Sequence, residues 1–370
     1  MSLGEGEYLV VRGGALALAL SSKGNMNMGR RGYVLRKVAG SLLTIFIVLL
    51  INFFLFRVIP GDPAKAGLKD PRVRPEVIEA QRIRFGLDKP VINCFKGQMV
   101  FDASLCAANP FDTQLFIYIG NLFKGDLGIS YDQKRPVADI LRERIGNTVI
   151  LLLGAELFAI ILGSLLGLVA GWKRKTRLDT SALIFSLTAW SLPTFWLGIL
   201  MFMIGSSVFG LPVNGMRTTG LTYASFGEEL ADVARHWLLP SLTYAIVLLG
   251  QYMIVMRASV LEVLSEDYIL TAKAKGLTNF QILKDHALKN AMLPMVTLVL
   301  LNLGFTVSGA VELERVFSWP GVGLAIIEAV ARKDYPVLQG AFLVVTISVI
   351  FANLLMDLLY TYLDPRVKAE

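Results

Sequence analysis

Six long apolar runs constrain this chain more than any other feature: Gly40 to Ile59, Asn147 to Gly171, Ser181 to Phe209, Leu238 to Met256, Ala291 to Val311 and Val337 to Leu363. Each is close to or above the roughly 20 residues that carry a helix across a bilayer core. The formally charged residues inside them are Arg57, Glu156 and Asp357, so every run passes the transfer cost that a cluster of charges would fail. Composition agrees, with 54% hydrophobic and 18% charged residues where a soluble domain carries about 25% charged. The chain therefore reads as an all-α integral membrane protein with six transmembrane helices and a large segment between the first two.

Basic residues in the short loops set the orientation. Arg30, Arg31, Arg36 and Lys37 precede the first run, Lys173, Arg174, Lys175 and Arg177 follow the second, and Arg257, Lys273, Lys275, Lys284 and Lys289 follow the fourth. The alternate loops are poorer in bases, which predicts cytoplasmic termini and an external segment from Pro60 to Gly146; loops beyond about 60 residues carry little weight in this rule. The net charge of +7 is accounted for by those loops. No helix or loop interleaves bases with exposed aromatics, so no nucleic-acid partner is expected. The organisation expected is a cytoplasmic tail 1–32, a first helix with external segment 33–146, a membrane domain 147–363 with a cytoplasmic loop 257–290, and a tail 364–370. A rival reading of the first tail places the start of translation at Met26 or Met28.

Both cysteines, Cys94 and Cys106, fall in the external segment. Two thiols on the oxidising side suggest a disulfide closing a short loop; the alternative is two unrelated buried thiols. A zinc site is not expected, because the segment holds no histidine.

The loop after the fourth run carries helix punctuation. Ser265 is expected to cap a short helix with Glu266 and Asp267 in its first turn, Lys273 and Lys275 in its last, and Gly276 as its left-handed stop. Thr278 and Gln281 have capping-box spacing and open a second helix, with Phe280, Leu283 and Ala287 on one face. The pattern fits either a membrane-surface hairpin or a docking element for a partner.

The run Asp267-Tyr268-Ile269-Leu270-Thr271-Ala272-Lys273-Ala274-Lys275-Gly276-Leu277, followed by His286 to Pro294, closely resembles the coupling loop of the dipeptide and oligopeptide branch of ATP-binding-cassette importer permeases. Similarity extends through Arg84 to Pro90, Gly125-Asp126-Leu127-Gly128, Ser191 to Trp196, Val316 to Gly323, Asp334-Tyr335-Pro336 and Leu363 to Arg366. It spans the chain from about Arg31 to Arg366. The resemblance implies a type-I importer fold in a bacterial or archaeal cell (inner) membrane. It also implies a second homologous permease, two cytoplasmic ATPases and an external binding protein as partners. It makes Asp267, Tyr268, Thr271, Ala272, Lys273, Ala274, Lys275 and Gly276 the ATPase-coupling residues, with the small Ala272 letting the helix sit closely in an ATPase groove. The Glu-Ala-Ala opening of the wider family reads Leu270-Thr271-Ala272 here, and the external segment looks longer than usual.

No phosphate-cradling Gly-x-x-x-x-Gly-Lys-Ser/Thr run occurs. No cofactor is expected in this chain, and ATP and Mg²⁺ are assigned to the partner ATPases. An intramembrane Ser-His hydrolase is disfavoured because His236 and His286 lie outside or at the rim of the runs. Glu156, Gln251 and Asn302 are the candidate translocation-path residues, each weighed against a role as glue between helices. Phe317, Trp319, Pro320 and Gly321 form a rigid aromatic turn, either an anchor at the membrane interface or, by the resemblance, part of an outer gate. The function expected is the membrane-spanning subunit of an ATP-driven peptide importer. The alternatives are another solute such as an oligosaccharide and, further off, an ion-driven secondary transporter.

Overall fold

The computed structural model describes residues 30–58, 76, 79, 83, 88–96, 99–102, 111–306 and 310–363. Residues 1–29 and 364–370 of the expected tails, Arg84 to Leu87 and Cys106 lie outside the described residues.

Among the described residues, five helices are long and apolar enough to cross a bilayer. They fall within α1 (Arg30–Val58), α3 (Val137–Trp172), α6 (Phe226–Leu264), the stretch that ends in α8 (Lys289–Thr306), and α11 (Tyr335–Leu363). The sixth crossing differs from the single run read in the sequence. Ser181 to Phe209 is divided between α4 (Arg177–Ser191) and α5 (Thr194–Ser207), which meet at 103°. Pro193 causes the break: it disfavours helical geometry in the residue before it, and Leu192 is extended at φ −73°, ψ 132°. Pro240 and Pro294, by contrast, sit inside continuous helices. Several helices also outrun their apolar cores; α1 begins at Arg30, within the expected tail and ahead of the expected Gly40.

Beyond the crossings, β1 (Phe95–Lys96) pairs antiparallel with β2 (Val100–Phe101). Three further helices, α2 (Gln114–Phe123), α9 (Val311–Val316) and α10 (Val322–Arg332), cluster at the end of the bundle opposite the 257–290 loop, and α7 (Asp267–Ala274) lies within that loop.

The centre of the bundle is the parallel pair α3 and α6. On α3, Ala155, Ala159, Gly163, Gly167 and Gly171 recur every fourth residue and are all buried. A Cβ at Gly163 would lie 2.9 Å from the Leu249 carbonyl oxygen, and one at Gly167 only 2.5 Å from that of Met253. Such spacing lets two backbones approach where lipid supplies no hydrophobic drive and packing must supply the affinity. Gly250 on α6 admits the Ser186 carbonyl of α4, which a Cβ there would approach to 2.4 Å. At the periphery, α1 and α11 run antiparallel, joined by Asn52 Nδ2 donating to the Gln339 carbonyl at 2.9 Å and by Lys37 pairing with Asp357 at 2.7 Å.

Gly167→Val should destabilise the protein in detergent by at least about 2 kcal/mol through overpacking against backbone. Gly40→Val, where a Cβ meets nothing within 4 Å, should leave the thermal midpoint unchanged. Equal midpoints for the two variants would contradict the α3–α6 contact described here.

Candidate functional site

Three groups of residues singled out in the sequence are resolved as distinct sites, one at each end of the bundle and one between them.

The 257–290 loop is a rigid cap on α6. That helix runs unbroken to Leu264, so Ser265 closes it instead of opening α7; its hydroxyl donates back to the Glu262 carbonyl at 2.6 Å. Glu266 takes the N-cap of α7 without a side-chain bond. The far end of α7 follows the sequence expectation. Gly276 adopts φ +78°, its N–H donates to Lys273 O at 3.0 Å, and the Leu277 N–H donates to Ala272 O at 3.3 Å. This double closure needs a residue that accepts the left-handed region. Thr278 and Gln281 then form a reciprocal capping box.

A π-helix over Ile282–Leu288 leads into α8. Its five-residue repeat aligns Ile282 with Ala287, and these two are buried while Phe280 is 71% exposed. The expected face of Phe280, Leu283 and Ala287 assumed an ordinary helical period, which the wider turn shifts. Ala272 also departs from its expected role. It is 4% exposed, packed with Ile269, Ile282, Ala287, Val260 and Val263 in the core beneath the loop, and cannot enter a partner's groove. The surface instead presents Leu270, 70% exposed, with Asp267, Thr271, Lys273, Ala274, Lys275 and Gly276. Tyr268 is partly exposed and braces the loop: Asn290 Nδ2 donates to its hydroxyl at 2.9 Å. Asp179, unremarked in the sequence, accepts from Arg257 Nε at 2.5 Å and from its terminal nitrogen at 3.0 Å, tying the start of α4 to α6. The signal was a single acid in a strongly basic connection.

In mid-bundle the three candidate path residues come together. Asn302 Nδ2 on α8 donates to Gln251 Oε1 at 3.4 Å and to the Tyr252 hydroxyl at 3.0 Å. Tyr252 in turn donates to Glu156 on α3 in a short hydrogen bond. Glu156 and Tyr252 are buried. Tyr252 was missed, although a phenol next to Gln251 in an apolar run needs a partner for its hydroxyl.

At the opposite end Phe317 and Trp319 are fully buried, at 1% and 0% exposure, which rules out an anchor at the lipid interface. Trp319 Nε1 donates to Asn147 O at 2.9 Å, and Asn147 Nδ2 donates to Pro320 O at 2.9 Å. Glu314 lies beneath the turn, accepting from the Thr148 hydroxyl at 2.8 Å and from the Leu324 N–H at 2.9 Å. The carboxylate faces the first turn of α10, where the helix dipole favours negative charge, and its burial raises the pKa above the ordinary carboxylate value. Gly321 is required here, since a Cβ would stand 2.4 Å from that carboxylate. Asn147, Thr148 and Glu314 were not legible as one site because 166 residues separate Thr148 from Glu314.

Nearby, Asp334 accepts from the Ser130 hydroxyl at 2.5 Å, Tyr131 N–H at 3.0 Å and Asp132 N–H at 3.2 Å. The contact brings the Gly125 to Gly128 and Asp334 to Pro336 segments side by side. Cys94 is disulfide-bonded; Cys106, the chain's other cysteine, lies outside the described residues.

Residues 163–369 match the family described as binding-protein-dependent transport system inner membrane component. Residues 31–152 match the N-terminal family model of the same membrane components. The chain is similar to the glutathione transport system permease protein GsiC of Escherichia coli strain K12, at 33% identity over 336 residues, covering 91% of this chain and 98% of that protein. It is also similar to the dipeptide transport system permease protein DppB of the same strain, at 34% identity over 354 residues and the same coverage.

Glu314→Gln offers an amide N–H₂ where the turn supplies donors, leaving a buried donor unpaired at a cost of about 2 kcal/mol. The variant should unfold at a lower temperature and expose Trp319, read as a red shift of tryptophan emission. An unchanged emission maximum and midpoint would remove Glu314 from the turn's support.

Proposed function

We propose that this chain, which belongs to the family of binding-protein-dependent transport system inner membrane components, is the membrane-spanning subunit of an ATP-driven importer of short peptides. The observation that carries the reading is similarity over nearly the whole chain to permeases named for glutathione and for dipeptides. An importer of another solute and an ion-driven transporter are not favoured by these relatives. The family works with a solute-binding protein and with ATPases. For this chain the partners are a second permease that completes the path, two ATPases at the 257–290 end and a peptide-binding protein at the end holding Trp319.

The geometry supports a lever mechanism. In α7 the buried Ile269 and Ala272 lock the helix to the bundle, while Leu270 and, beyond the Gly276 turn, Phe280 offer apolar knobs to an ATPase groove. Closure of the ATPases displaces α7 as a rigid piece and carries α6 and α8 with it. The Glu156–Tyr252–Asn302 chain ties α3 to both, so all three tilt together. Glu156, Gln251 and Asn302 act in this reading as a joint between moving helices, with the path running alongside them. The buried turn of Phe317, Trp319, Pro320 and Gly321 closes the outer end of α3.

Two experiments test this. Uptake of a labelled dipeptide by the reconstituted importer should fall at least tenfold in Leu270→Asp with Phe280→Asp, and the ATPases should no longer co-purify, at an unchanged thermal midpoint. Gly276→Val, forced out of its left-handed conformation, should lose uptake in the same way. Full uptake with both variants correctly inserted would remove the loop from coupling. Separately, reporters fused at Arg174 and Asp285 should read cytoplasmic and one at Ser104 external; reversed signals would invert the assignment of the two ends.

A further inference from the structure

At the end of the bundle that holds Trp319 there is a cavity of about 380 Å³ that the transport reading leaves without a role. One face of α2 forms its roof through Gln114, Ile117, Tyr118 and Asn121, spaced as a single helical stripe. The Asp126 to Ile129 loop and the first turn of α11, with Tyr335, Pro336 and Gln339, form the floor.

Two deeply buried carboxamides line this space with one polar atom each unanswered. Gln114 is 5% exposed. Its Nε2 donates to the Lys89 carbonyl at 2.7 Å, which fixes the orientation of the amide and leaves Oε1 as an acceptor with no partner. Gln339 is 9% exposed and its Nε2 is a donor with no partner. Buried polar groups are almost always paired, so an unanswered acceptor and an unanswered donor in the walls of one cavity ask for an occupant presenting both. Asp126 adds a carboxylate at the exposed rim, one oxygen of which accepts from the Gly128 N–H at 2.8 Å. No lysine or arginine is among the described lining residues.

We propose that this cavity is a peptide subsite of the permease itself. It takes a di- or tripeptide by one backbone amide, whose N–H donates to Gln114 Oε1 and whose carbonyl accepts from Gln339 Nε2. The free α-ammonium lies against Asp126, and the carboxyl end, with no cation among the described lining residues to meet it, points outward. The volume sits at the small end of ligand sites, about 300–1,000 Å³, which limits the occupant to a short chain. Tyr118, Ile117 and Pro336 give the side chains an apolar surface. The assignment rests on the peptide reading above and adds to it a recognition step made by this chain after the binding protein.

The probe is trialanine, titrated calorimetrically into the full chain in lipid nanodiscs without binding protein. One saturable site is expected, with at least tenfold weaker affinity in Gln114→Leu and in Gln339→Leu. N-acetyl-trialanine should bind at least tenfold more weakly than trialanine to the unaltered chain, and Asp126→Asn should erase that difference; trialanine amide should bind like trialanine. Ile117→Trp, which fills the cavity without touching a polar group, should abolish binding and serves if the glutamine variants unfold. Absence of saturable binding by the unaltered chain would mean that water alone fills the cavity and would overturn the proposal, as would affinity unchanged in Gln114→Leu, Gln339→Leu and Ile117→Trp. Trialanine uptake by the complete importer is measured in parallel. Uptake without binding here sinks the subsite and leaves the peptide importer standing, whereas binding without uptake keeps the subsite and sinks the importer reading.

Discussion

The close approach of α3 and α6 is the contact on which the rest of the structure depends. In a bilayer, lipid tails are as apolar as leucine, so two helices gain by touching only if they touch closely. Gly163, Gly167 and Gly171 make that possible, and the approach has consequences along the pair. At Gly163 the missing Cβ makes room for Tyr252, and this seats the phenol where its hydroxyl reaches Glu156, about two turns from Gly163 on α3. At Gly171 the neighbour is Val260, which shares a core with Ile269, Ala272 and Ile282 of the loop. The seat of the 257–290 loop is thus an extension of the glycine seam.

The same helix reaches the other end. From Thr148, which holds Glu314, to Gly171, beneath the loop, α3 spans about 35 Å at 1.5 Å per residue, slightly more than the bilayer core. One unbroken rod therefore contacts both the Trp319 turn and the α6 segment that carries the 257–290 loop. The α4–α5 pair is the opposite kind of element. It is pinned on α6 where Gly250 meets the Ser186 carbonyl, and again where Gly205 meets Leu239, with the 103° break at Leu192–Pro193 between the pins. A continuous rod and a built-in corner lie on two sides of α6.

Much of this was legible in the sequence, for identifiable reasons. Hydropathy runs located five crossings because the bilayer demands a length that few soluble helices share. Gly276, Thr278 and Gln281 gave their turn away because helix ends are governed by near neighbours. What failed needed knowledge of distant partners or of irregular backbone. Ala272 looked like a contact surface because its smallness suits close packing, but the same property suits the core beneath it. Ser265 looked like an N-cap because nothing local says that α6 continues to Leu264. Phe280 was put on the wrong face because a π turn has no strong sequence mark. The glycine seam on α3 could have been read directly from its four-residue spacing, and with it the partner face of that helix.

The buried acids and the two buried glutamines at the cavity differ in how their polar atoms are met. Glu156, Asp179, Glu314 and Asp334 are each met by donors from another element: Tyr252 of α6, Arg257 of α6, Thr148 of α3, and the Ser130 to Asp132 loop. Each stands where two elements meet. Removing either partner would leave the other unanswered, a far larger loss than the modest net gain of forming the bond, so these acids fix which elements are held together. Gln114 and Gln339 are different. They are also buried, but each lines a shared cavity with one polar atom left unpaired, and a neutral amide can be kept so at much lower cost than a charge. In this fold each of these buried acids therefore ties two elements together, whereas Gln114 and Gln339 each keep an unpaired amide atom in the walls of one cavity.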